Sequence, residues 1–125
     1  MILLPILLMM QPQLDCEDPV TQLDMNICSR QEFEVADKAL NEQWSKVAAH
    51  KKSNDESALK NGVKGGYFEI LLKSQRAWIA FKDRHCDAVA DAYRGGSIRP
   101  LIYNDCRTNL TKQRTDQLQK MIEPN

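Results

Sequence analysis

Four cysteines, Cys16, Cys28, Cys86 and Cys106, carry the most definite chemistry in this chain of 125 residues. An even count in a short chain fits a disulfide framework, whereas structural zinc gathers its thiolates in tight pairs such as C-x-x-C. No two of these cysteines lie closer than Cys16 and Cys28. His85 beside Cys86 does not complete a metal site either, because adjacent helical residues point ~100° apart. Disulfides are therefore expected, and neither a metal nor a cofactor is. Oxidised cysteines leave no thiol nucleophile, and His50 and His85 have no nucleophile or acid–base partner at a recognisable spacing. The chain is not expected to be an enzyme.

Three polar sets remain as candidates for binding or register. Ser97 and Arg99 follow Gly95-Gly96 and would present hydroxyl and guanidinium donors from a tight turn, a form suited to plugging a carboxylate-lined cleft. Asp83, Asp87 and Asp91 repeat every four residues, so on a helix they make one acidic stripe leading to that turn, suited to a basic protein partner. Asp37, Asn41, Gln75, Arg76 and Arg84 would meet where two helices pack antiparallel, as a hydrogen-bond and ion-pair network that fixes their register. Nucleic acid is excluded as a partner on charge. Seventeen basic residues balance seventeen acidic ones, so no net positive field gathers phosphates.

The elements that must position these groups are helical, since apolar residues recur in steps of three and four and nowhere alternate. The first helix is predicted from Val20 to Lys52, with Leu23, Ile27, Phe33, Ala36, Leu40, Trp44 and Val47 along one face. Residues 53–66 are polar, hold Gly62, Gly65 and Gly66, and read as a loop. The second helix is predicted from Tyr67 to Arg94, with Leu71, Gln75, Trp78, Ile79, Cys86, Val89 and Tyr93 among its inward residues. Gly95-Gly96 stops it; Ser97 then reads as the N-cap of a third helix with Pro100 in its first turn. Ile102, Cys106, Leu110, Leu118 and Met121 give that helix its apolar stripe, interrupted at Thr111.

The expected fold is all-α, a small antiparallel three-helix bundle braced by two disulfides. Counting back from the glycine turn places Cys86 and Cys106 at one level on facing helices, and Cys16 can fold back onto Cys28 at the same end. The expected bridges are Cys16–Cys28 and Cys86–Cys106, with Cys28 to Cys86 or Cys106 as the crossed alternatives.

Residues 16–125 suffice for one domain and one core. The leader, residues 1–15, opens with ten uninterrupted apolar residues, Met1 to Met10. A stable membrane span needs ~20, so the run suits the apolar region of a secretory signal, although it lacks a basic start and a small-x-small cleavage motif. A periplasmic or secreted location is expected, in keeping with the cysteines. Asp15 directly before Cys16 disfavours a lipid anchor there.

The ordered set Cys16, Met25-Asn26-x-Cys28, Ala36-Asp37-x-x-Leu40-Asn41, Gln75-Arg76-x-Trp78, Arg84-x-Cys86, Gly95-Gly96-Ser97, Cys106 and Leu110-Thr111-x-x-Arg114-x-x-x-Leu118 resembles the lysozyme-inhibitor LprI-like domain family. The resemblance implies an exported, four-cysteine helical domain of the bacterial envelope. Its implied partner is a lysozyme or a related wall-cleaving enzyme. The alternative is a structural or chaperone-like accessory of the envelope with no inhibitory role. No inhibitory residue is carried over from the family pattern.

Overall fold

A computed structural model describes residues 14–124, so the apolar run at the start of the leader lies outside the described residues. Three helices follow in order: α1 over Gln22–Lys60, α2 over Tyr67–Ala90, and α3 over Arg99–Lys120. A single 3-10 turn, Asp91–Tyr93, continues α2. The described residues hold no strand, and the all-α expectation is met.

Helix α1 begins at a side-chain cap. Thr21 Oγ1 accepts from the Asp24 backbone N–H at 3.0 Å, and Asp24 adds negative charge to the first turn. The helix then runs 39 residues, through the segment expected to be a loop. Polarity alone is a weak breaker, because Ser, Asn and Asp cost only ~0.5 kcal/mol each against Ala inside a helix. Ala58 is buried and anchors the last turns, and the break comes at Gly62, whose φ of +66° a side chain would resist. The connection to α2 is thus residues 61–66, not 53–66.

Extending α1 brings Asp55 to the start of α2, whose N-cap residue, Gly66, offers no side chain. Asp55 Oδ1 accepts from the Gly66 and Tyr67 N–H groups at 2.9 and 2.8 Å, and Oδ2 from Phe68 N–H at 3.2 Å. Desolvation pulls its pKa upward, but the three donors outweigh it and hold the carboxyl below its ordinary 3.8. A carboxylate depressed in the folded state stabilises the fold above its unfolded pKa, and that contribution is lost as pH falls through the folded value. The stability difference between wild type and Asp55→Asn should therefore be constant near neutrality and shrink as pH falls below about 3.8. Denaturant titrations of both proteins across that range check it, and a difference unaltered in acid would show that ionised Asp55 does not hold the elbow.

Helix α2 ends close to expectation. It tightens into the 3-10 turn, Gly96 N–H donates to Tyr93 O at 2.9 Å, and Gly95 adopts φ +80°. Pro100 lies in the first turn of α3 as expected, but Ser97 is not its cap. The cap position is Ile98, without a side-chain bond, and the carbonyl of Ser97 accepts from Asn26 Nδ2 of α1 at 2.9 Å instead.

Leu40, Val47, Leu71 and Leu118 form the core, surrounded by Trp44, Phe68, Trp78 and Ile122. Helix α3 packs against both others, and its contact with α1 is the most extensive. This arrangement corrects several inward assignments. Leu23, Ile27, Ile79, Val89, Tyr93 and Met121 are exposed, and Trp78 is only half-buried. Helix α2 buries just the stripe Leu71, Gln75, Lys82, Cys86 and Ala90, because it meets its neighbours along one narrow seam. Thr111 does not interrupt α3; it is completely buried between Asn104, Thr108, Arg114 and Leu118, so the inner stripe of that helix is largely polar.

Candidate functional site

Both bridges are those expected, and the crossed alternatives do not occur. Cys16–Cys28 and Cys86–Cys106 have Cα separations of 5.4 and 5.5 Å. The first ties the segment just before α1 to the start of that helix, and the second clamps α2 to α3 behind the glycine turn. Among the described residues no group of three or more His, Cys, Asp or Glu could hold a metal ion.

The polar network expected between α1 and α2 does not form as drawn. Gln75 alone of its members is buried, and its Oε1 accepts from Arg114 Nε of α3 at 2.9 Å. Arg114 also donates from Nη2 to Ser74 Oγ at 2.9 Å and from Nη1 to Gln117 Oε1 at 3.2 Å. Asp37 and Asn41 open onto a shallow surface pocket bordered by Lys38 and Glu42 of their own helix, and Arg76 and Arg84 are exposed. The physical reason is that Gln75 turns to α3, while α1 meets α2 through Leu40 and Val47 beside Leu71 and through Phe33 beneath Lys82. Arg114 is a buried cation with only neutral acceptors, and desolvation lowers its pKa from the usual arginine range.

Two further cations, absent from the candidate residues read from the sequence, sit among aromatic rings. The Arg107 guanidinium stacks 3.7 Å from the Phe33 centroid and 4.5 Å from that of Tyr103. Lys82, 7% exposed, lies 5.4 Å from Phe33 and 5.1 Å from Trp78. A lysine on an inward helical position reads as a break in the apolar period; its aromatic neighbour four residues earlier, Trp78, is the signal that identifies it.

Acidic stripe and glycine turn prove to be one surface. Arg99 Nη2 lies 3.3 Å from Asp87 Oδ1, joining the first turn of α3 to the middle of the stripe. Asp83 faces Lys82 Nζ at 3.6 Å, and Asp91 pairs with Arg94. Every carboxylate of the stripe therefore has a cation beside it, and the negative field expected there is largely cancelled.

A wide cavity lies elsewhere, on the α1–α3 seam beside the Cys16–Cys28 bridge. It is an open groove of about 610 Å³. Val35, Ala36, Ala39 and the two sulfur-bearing side chains supply apolar walls. Glu32 from α1, with Lys112 and Asp116 from α3, stands at its rim. A neighbouring smaller pocket shares Cys16, Cys28 and Glu32 and adds Asp105, whose pKa is raised by desolvation and by the charge of Glu32. None of Val35, Ala39, Lys112 and Asp116 stands out in the sequence. Val35 lies off the buried stripe of α1, and Lys112 and Asp116 look like an ordinary solvated pair.

Residues 16–118 match the family described as "Lysozyme inhibitor LprI". An uncharacterized protein of Rhizobium meliloti strain 1021 is 37% identical over 114 residues, covering 90% of this chain and 82% of the relative. No solved structure matches.

Proposed function

This chain belongs to the lysozyme inhibitor LprI family, and from that membership we propose that it is an exported binding protein that blocks a lysozyme or a related wall-cleaving enzyme. The observation that carries the reading is the extent of the family match. It runs from Cys16 to Leu118, which is from the first bridging cysteine to the last leucine of the core, so it covers the fold and not a fragment of it. Two bridges in so thin a core support a periplasmic or secreted location, because disulfides persist where the surroundings are oxidising. No described helix is long and apolar enough to cross a membrane.

Blocking a cleft requires a surface and no chemistry of its own. The Ser97–Arg99 turn offers hydroxyl and guanidinium donors, but Arg99 is shared with Asp87 and the turn backbone is held by Asn26. Exposed ion pairs contribute only ~0–1 kcal/mol, so Arg99 can be redirected to a partner, and releasing it leaves Asp87 uncompensated. The test is wall hydrolysis by a basic lysozyme with added oxidised protein. Saturable slowing at micromolar concentration is expected, and the absence of slowing with any lysozyme tested would remove the inhibitor reading in favour of an accessory role in the envelope. Arg99→Ala and Asp87→Lys assayed beside wild type locate the contact. Loss of inhibition in Arg99→Ala with an unchanged melting curve would place the turn in the cleft.

A further inference from the structure

We propose that the groove beside the Cys16–Cys28 bridge is a docking site for a basic partner segment, one that inserts an apolar side chain flanked by lysine or arginine. Three observations lead there. The groove's volume, about 610 Å³, falls within the ~300–1,000 Å³ of sites that seat a side chain or small ligand, and its walls are mostly apolar. Val35, 71% exposed, stands at the edge of the groove; an isoleucine-sized chain beside it would cover apolar surface that water now wets.

Charge selects the partner. Residues 14–34 carry six carboxylates, Asp15, Glu17, Asp18, Asp24, Glu32 and Glu34, against the single cation Arg30. Arg30 is itself tied to Glu34 at 3.2 Å. The chain as a whole is neutral, so this segment carries an acidic excess along the sequence, which Arg107 and Lys82, stacked on its Phe33, offset in part. At the rim, Glu32 and Asp116 outnumber Lys112. In the adjoining pocket the pKa of Asp105 is raised first by desolvation and then by the charge of Glu32, the rim carboxylate that an arriving cation would meet. By contrast the stripe of Asp83, Asp87 and Asp91 is matched cation for carboxylate. An uncharged apolar ligand would gain nothing from the rim, and a second copy of this chain would bring its own acidic corner against the first.

The bridge makes the wall. Cys28 is buried in α1 and Cys16 is exposed, so the disulfide fixes Cys16 as an edge at one end of the groove. Identification of the basic segment with part of a wall-cleaving enzyme rests on the inhibitor reading; the groove and its charge do not.

The experiment titrates the oxidised full chain, labelled with nitrogen-15, with the capped peptide Arg-Leu-Leu-Lys and with its neutral analogue Gln-Leu-Leu-Gln. Amide shifts should cluster at Val35, Ala36, Ala39 and Thr115, and the neutral analogue should bind about fivefold or more weakly, the worth of one exposed ion pair. Raising salt should weaken the cationic peptide and leave the neutral one alone. Ala39→Arg, at an exposed helical position, fills the groove with a like charge and should abolish the shifts while leaving the melting curve unchanged. Equal binding of the two peptides, shifts clustered elsewhere, or undiminished binding by Ala39→Arg would overturn the proposal. Groove shifts that appear on concentrating the protein without peptide would assign the surface to a second copy instead. The lysozyme assay separates this inference from the one it extends. Inhibition that survives Ala39→Arg sinks the groove and spares the inhibitor, whereas peptide seated in the groove of a protein that slows no lysozyme does the reverse.

Discussion

Leu118→Ala should lower the stability of this protein by about 3–4 kcal/mol and its melting temperature by more than about 10 °C. Leu118 is completely buried and belongs to the cluster of Leu40 and Val47 from α1 and Leu71 from α2, so one side chain from α3 touches the interests of all three helices. Truncation removes its transfer free energy and leaves a cavity that rigidly helical walls can close only in part. With just four residues at the centre of the core, no larger reserve of apolar contact spreads the loss. Ile79→Ala is the internal control. Its periodicity suggests an inward residue, yet it is 43% exposed, and its truncation should cost under about 1 kcal/mol. Thermal unfolding followed by circular dichroism compares the two; equal losses would mean that the packing of α2 has been assigned to the wrong face.

The second large effect is expected from the bridges, and it should be unequal. On the chain-entropy account, closing 20 residues between Cys86 and Cys106 and 12 between Cys16 and Cys28 stabilises by about 3 kcal/mol in each case, since the dependence on loop length is logarithmic. Packing separates them. Cys86 is completely buried between α2 and α3, whereas Cys16 lies exposed ahead of α1. The double variant Cys86→Ala/Cys106→Ala should therefore show the lower denaturation midpoint, and Cys16→Ala/Cys28→Ala the higher. A mild reductant should open the bridge with the exposed sulfur first. Denaturant titration of both variants and thiol trapping over time are the measurements. A lower midpoint for the Cys16/Cys28 variant would show that the Cys16 bridge contributes more to the fold than the exposure of Cys16 indicates.

How legible the fold was depended on whether a residue's role could be inferred from its own neighbours in sequence. Gly95-Gly96 ended α2, the Cys86–Cys106 bridge followed from counting residues on either side of that turn, and Cys16–Cys28 followed from the fold-back of Cys16 onto the start of α1. Residues 53–60 were unreadable for the opposite reason: their helix is held by Ala58 beneath and by Gly62 as terminator, and Asp55 finds its use only against α2. The inner face of α3 escaped because Asn104, Thr108, Thr111 and Arg114 are polar, and the apolar period is blind to a seam filled with small hydroxyls and one bonded guanidinium. Gln75 was recognised as special, but its partner lies 39 positions away on a helix whose facing side the sequence did not specify. The groove was invisible altogether, since it exists only where Cys16, α1 and α3 meet.

The connectivity of the bridges bears on how the protein is made. Four cysteines allow three pairings, and this chain uses the one in which each cysteine bonds to the next along the sequence. The two covalent loops neither overlap nor nest. A chain delivered from its N-terminus into an oxidising space presents Cys16 and Cys28 together while Cys86 is still to arrive, and consecutive pairing gives the native bond without later exchange. Either crossed pairing would require the first bond to wait or to be undone. Order of arrival and final structure thus agree, and the long helix α1 and the α2–α3 hairpin, with no covalent tie between them beyond the backbone, can each be completed in turn.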